Sequence, residues 1–128
     1  MHKKYLVIAA WFGALSVALG AFGAHSVKDI ISQQSMNTFE TAVRYQFYHV
    51  FALALTGLLY KSSPNKKLQY AGNLFILGII FFSGSLYILS LLGTANFGWI
   101  GAITPLGGAF FIAGWLYLVA GIKQGQAQ

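Results

Sequence analysis

Asp29 and Glu40 are the only acidic residues of this chain, and His2, His25 and His49 are its only histidines. There is no cysteine, which excludes thiolate catalysis, disulfides and cysteine metal sites. Glu40 and Arg44 are four apart, so a helix would place them on one face and let them pair. Tyr48 continues that stripe. Tyr45 and His49 are also four apart but point elsewhere on the helix, and Gln46 faces a third direction. His25, followed by Lys28 and Asp29, belongs to the same end of the molecule. Two histidines and a glutamate are the ingredients of a metal site or a proton relay. The spacing matches no standard metal site, however, and there is no HxxxH or HxxE pair. His25, Glu40, Arg44, Tyr45, Tyr48 and His49 therefore read as a polar network or binding site. No catalytic residue, metal or cofactor is assigned.

The elements that hold these residues follow from composition. Hydrophobic residues make up 57% of the 128 and charged residues 8%, against roughly 25% charged in an ordinary soluble domain. That is too few charges to cover a soluble surface, so lipid is the natural solvent. In a soluble protein a net charge of +6 would suggest nucleic acid. Here the basic residues lie between apolar runs. They read as topology signals and contacts for anionic lipid headgroups, with no nucleic-acid partner expected.

Residues 5–24 carry no charge, and twenty helical residues at about 1.5 Å each span the ~30 Å hydrocarbon core. Ala21-Phe22-Gly23 gives this run a signal-peptide-like ending, but the run exceeds the ~7–15 apolar residues of a signal core. An outer loop, 25–41, follows, with one short interfacial helix expected around Val27 to Gln34. Asn37 with Glu40 three residues later predicts a helix N-cap, and a helix beginning near Thr38. The second span is 42–60. Lys61 to Lys67, with Pro64 inside, reads as a short turn. The third span is 68–92, closed by Gly93 and a tight turn through Asn96. The fourth lies within 99–122, with Thr104 as cap and Pro105 in the first turn; a longer helix kinked at Pro105 is the alternative. The expected fold is all-α: a polytopic membrane protein in which residues 1–128 form a single transmembrane domain, a four-transmembrane-helix bundle.

With four spans, Lys3, Lys4, Lys61, Lys66, Lys67 and Lys123 share one side, and Lys28 and Arg44 the other. Positive charge marks the cytoplasmic side, so both termini are expected inside, N-in/C-in. Small residues keep helical phase in two spans: Ala9, Gly13, Ser16, Gly20 and Ala24 in the first, and Gly107, Gly114 and Gly121 at intervals of seven in the fourth. Both series predict close helix packing, because in lipid close backbone approach matters more than burying leucine on leucine.

Gly20-Ala21-Phe22-Gly23-Ala24-His25 and the run Phe39-Glu40-Thr41-Ala42-Val43-Arg44-Tyr45-Gln46-Phe47-Tyr48-His49 resemble the hallmark segments of domain of unknown function family 423. Phe82 to Tyr87 and Thr104 to Gly108 also fit its pattern. The family comprises small bacterial inner-membrane proteins and resembles the animal transmembrane protein 256. The resemblance implies a multi-pass protein of the bacterial plasma membrane and carries no activity.

Three functions compete. The expected one is non-enzymatic, an accessory or scaffold subunit forming a homo-oligomer or joining a membrane-protein partner, because the short loops leave little room for a soluble active site. The alternative is a small oligomeric transporter or channel using Glu40, Arg44 and His49, since such residues often line pathways. The third is a membrane enzyme acting on lipid or quinone, which would need a cleft containing the His25 and His49 rings.

Overall fold

A computed structural model describes residues 2–127. Among them, four long helices run in succession. The first, α1, is His2–His25. A 3-10 turn at Val27–Asp29 then buries Val27 against Met36 and Phe39. The second helix, α2, is Gln33–Ser62. It begins earlier than the expected Thr38, because Ser32 rather than Asn37 is its cap: the Ser32 Oγ accepts from the Ser35 amide at 3.1 Å. Asn37 lies inside the helix and accepts from Gln33 Nε2 at 3.0 Å. The extra turn carries Met36 down to Val27 and Gly23, so burial of that methionine outweighs the local Asn37 signal. The expected outer loop shrinks accordingly, and its short helix is the 3-10 turn.

The α2–α3 turn is as expected. Asn65 caps α3 by accepting from the Leu68 amide at 3.0 Å, and its Nδ2 donates to the Gly121 carbonyl at 3.2 Å, tying the turn to the last helix. Helix α3 is Lys66–Leu92, continuous but widened to π geometry at Ile79–Ser83. Gly93, with φ of 84°, ends it in the left-handed region that glycine enters without strain. The expected tight turn is instead a one-turn helix, Thr94–Phe97, and a 3-10 segment, Gly98–Ala102. The fourth long helix, α4, is Ile103–Ala127, with Pro105 in its first turn. Thr104 lies inside the helix and does not cap it; its hydroxyl shares a 2.6 Å hydrogen bond with Ser85 Oγ on α3.

Helices α3 and α4 form an antiparallel hairpin in a single register. Leu68 faces Gly121, Phe75 faces Gly114, Phe111 faces Gly78, and the backbone at Phe81 and Phe82 faces Gly107. Large and small residues alternate along both helices at heptad spacing, so each ring or leucine fills the gap left by a glycine opposite. Gly107, Gly114 and Gly121 thus pack against the same chain, a choice of partner that their spacing left open. The α1–α2 hairpin is looser at two of the expected positions. A side chain added at Gly13 or Gly20 would sit 3.5 or 3.6 Å from Val50 or Val43, which is ordinary contact. The tight points there are Gly23 under the Phe39 ring and Gly57 over the His2 carbonyl and Leu6. Three helical stretches, His2–Asp29, Lys66–Leu92 and Gly98–Gln126, are long and apolar enough to cross a membrane; α2 is not among them.

Candidate functional site

The polar residues singled out by spacing divide into two groups. Gln46 and His49 enter the core, whereas Glu40, Arg44 and Tyr48 line an open groove on the outer side of α1 and α2. His25, at the end of α1, is exposed.

Gln46, 1% exposed, joins three helices. Its Nε2 donates to the Phe12 carbonyl of α1 at 2.9 Å, and its Oε1 accepts from the Tyr87 hydroxyl of α3 at 2.6 Å. The Phe12 carbonyl also accepts from Ser16 Oγ at 2.7 Å, which explains the buried serine in the small-residue series of α1. One turn away, Ser83 in the π segment donates to the Ala42 carbonyl of α2 at 2.8 Å. At the opposite end, the Tyr5 hydroxyl lies 2.9 Å from both the Gln69 carbonyl and Asn73 Oδ1, with its ring over Gly72.

His49 is fixed on both nitrogens. Its Nδ1 lies 2.7 Å from the Tyr45 carbonyl, and its Nε2 3.1 Å from the Trp115 indole nitrogen. A carbonyl only accepts and an indole N–H only donates, so Nδ1 carries the hydrogen and Nε2 the lone pair. The ring stacks on Phe111 with centroids 3.5 Å apart and planes 8° from parallel. Neither nitrogen is left for a metal ion. Among the described residues there is no group of three or more histidine, aspartate or glutamate residues placed to hold one. Tyr45 supplies the carbonyl and packs its ring on Phe82 at 4.9 Å.

Glu40 and Arg44 do share a face, as their spacing requires. They lie exposed on the wall of a groove of about 360 Å³ whose floor includes Gly20, Ala24, Phe39 and Val43. Among the described residues neither is ion-paired. Sequence reasoning missed Tyr87, Trp115, Ser83 and the Phe12 carbonyl, and left Gln46 outside the network. A glutamine in an apolar helix is a visible signal, but its partners lie 34 and 41 residues away in sequence. Nothing local announces them.

Every buried side-chain nitrogen and oxygen among the described residues has a partner. Helices of this length and apolarity, held together by glycine contacts and internal hydrogen bonds, define an all-α membrane protein. A family model described as "Protein of unknown function (DUF423)" matches residues 19–108, and the chain belongs to that family. It is 43% identical over 117 residues to a UPF0382 membrane protein of Staphylococcus haemolyticus, covering 91% of this chain and 93% of that one. It is 40% identical over 118 residues to the UPF0382 membrane protein YwdK of Bacillus subtilis, covering 91% and 94%. A UPF0382 membrane protein of Haemophilus influenzae is 37% identical over 124 residues, covering 94% of each chain. No solved structure matches.

Proposed function

We propose that this chain is a four-span protein of the bacterial plasma membrane with both termini in the cytoplasm. In this reading it works without catalysis, as an accessory or scaffold subunit that assembles with copies of itself or with another membrane protein. The observation that carries the functional reading is the closed hydrogen bonding of the core. Gln46, Tyr87, Ser16, Ser83, His49 and Trp115 satisfy one another or backbone carbonyls. None is left aimed into a cavity where a substrate or ion would bind. Such a network fixes how helices meet in lipid, where an unsatisfied polar group is costly.

The span count rests on packing. Helix α2 lies antiparallel along α1 over its whole length, from Gly57 against His2 and Leu6 to Phe39 against Gly23. If α1 crosses the bilayer, α2 crosses with it. Six lysines then share the side of the termini, against Lys28 and Arg44 on the other, which supports termini inside.

Reporters placed after Lys66 and at Gln128 should report cytoplasm, and one inserted between Asp29 and Ile30 the outside. Isolation in native nanodiscs should yield an assembly of two or more chains. A monomer without partners that drives solute flux in proteoliposomes, lost on His49→Gln, would replace this reading with transport.

A further inference from the structure

Five residues along the outer face of α2, Arg44, Tyr48, Phe51, Leu55 and Leu58, are exposed. They follow the alternating four-and-three spacing of a coiled-coil seam. The α3–α4 hairpin uses the same spacing to pack inside this chain, whereas on α2 the seam has no partner among the described residues. Glu40 lies one turn before Arg44 on that face. Their depth is set by α1: Phe39 touches Gly23 and Val43 sits beside Gly20. Glu40 and Arg44 are therefore level with the apolar end of α1, beyond which the 3-10 turn begins. Two exposed charges at that depth, not ion-paired among the described residues, are expensive unless something pairs them.

We propose that this face of α2 is the contact surface for a second copy of the chain, with Glu40 of each copy paired to Arg44 of the other across a two-fold axis along the membrane normal. The inference rests on the four-span reading, which the reporters test separately. One acid and one base a turn apart are complementary to themselves under a two-fold rotation, because the residue that meets a partner's base is repeated on the partner. Both charges are answered at once. An anionic lipid headgroup would satisfy Arg44 and be repelled by Glu40. Below the charges, Tyr48, Phe51, Leu55 and Leu58 would meet their own counterparts, as parallel helices in a two-fold pair do.

The absence of cysteine makes the test clean. Leu55→Cys should form a disulfide-linked dimer on mild oxidation in native membranes, and Ile112→Cys, on the exposed face of α4, should not. In the Leu55→Cys background, Glu40→Arg alone and Arg44→Glu alone should each lower the dimer about tenfold, because like charges then face one another. Co-expressed with different tags, the two variants should form the heterodimer at close to the original yield. The double variant Glu40→Arg with Arg44→Glu keeps both charges and should recover the homodimer, which separates lost pairing from lost folding. Equal cross-linking at Leu55 and Ile112, or a yield indifferent to the charge swaps, would overturn the proposal. So would a folded double variant that stays monomeric, or a phospholipid retained on this face through Arg44.

Discussion

Replacing Gly107 with alanine tests whether backbone contact between α3 and α4 holds the bundle together. The added methyl would lie 2.7 Å from the Phe82 Cα and 2.8 Å from the Phe81 carbonyl carbon, with the Phe82 nitrogen nearer still. Those atoms are backbone and cannot rotate away, so the helices must part along the seam. Overpacking of this kind costs about 1–3 kcal/mol, and an obstacle made of backbone places Gly107 in the upper half of that range. Alanine also favours the helix by up to ~1 kcal/mol over glycine, leaving a net loss of about 1–2 kcal/mol. Gly20→Ala is the control. Its methyl would rest 3.6 Å from Val43 Cγ1, which is ordinary contact, so the propensity gain stands and the sign reverses to a gain of up to ~1 kcal/mol. Reversible unfolding in mixed micelles, followed by tryptophan fluorescence, measures both. A Gly107→Ala protein as stable as Gly20→Ala would refute the packing argument, whatever the absolute values.

Three further outcomes follow from the same geometry. Tyr87→Phe removes the donor to Gln46 and should cost ~1 kcal/mol, near the upper range for hydrogen bonds between membrane helices; Gln46→Leu with Tyr87→Phe should cost less than the two single losses added, in a double-mutant cycle by thermal unfolding. Trp115→Phe leaves His49 Nε2 without its donor and should destabilise by ~1–2 kcal/mol, whereas Tyr117→Phe, whose hydroxyl is unused among the described hydrogen bonds, should be neutral within error. Ser32→Ala should lower stability by ~0.5–2 kcal/mol as the loss of a cap; Asn37→Ala, inside the helix, should be close to neutral, and the reverse order would restore Asn37 as the helix start.

The long apolar runs at the heart of α1, α3 and α4 are visible in the sequence, with Pro64-Asn65 and Gly93 marking the two ends of α3; the end of α4 is not, since the helix continues past Lys123 to Ala127. The glycines of α4 were legible as a packing face because their interval of seven holds one helical direction. Their partners were not: Phe75 and Leu68 are unremarkable in an apolar helix, and only the register of the hairpin sets them opposite Gly114 and Gly121. The start of α2 was misread because Asn37 and Glu40 fit a local capping pattern, while the competing term, burial of Met36 beneath Val27, depends on a chain reversal that sequence does not display. At the candidate site, the spacing of Glu40 and Arg44 rightly placed them on one face. It said nothing of His49, whose role is set by Trp115, 66 residues away.

Part of the polarity of α2 is explained by these contacts. Hydropathy weighs each residue as if it faced lipid, and by that measure α2 falls short of a span. Its polar side chains do not all face lipid. Gln46 and His49 are buried and bonded to other helices, Gln46 to Phe12 and Tyr87 and His49 to Trp115, while the buried Thr56 bonds back to the Ala52 carbonyl of its own helix. For Gln46 and His49 the cost in lipid applies to the helix alone; once α1, α3 and α4 are in place it becomes a set of fixed contacts that other pairings of the same helices would leave unmade. The apolar helices adhere largely through shape, with hydrogen bonds from Tyr5, Asn65 and Ser85 between them; shape alone tolerates sliding by a heptad. The hydrogen bonds of α2 do not tolerate it, since a shift of one turn would take Gln46 from both Phe12 and Tyr87. The least apolar of the four helices thus adds its own constraint on the register of the others, through Gln46 to α1 and α3 and through His49 to α4.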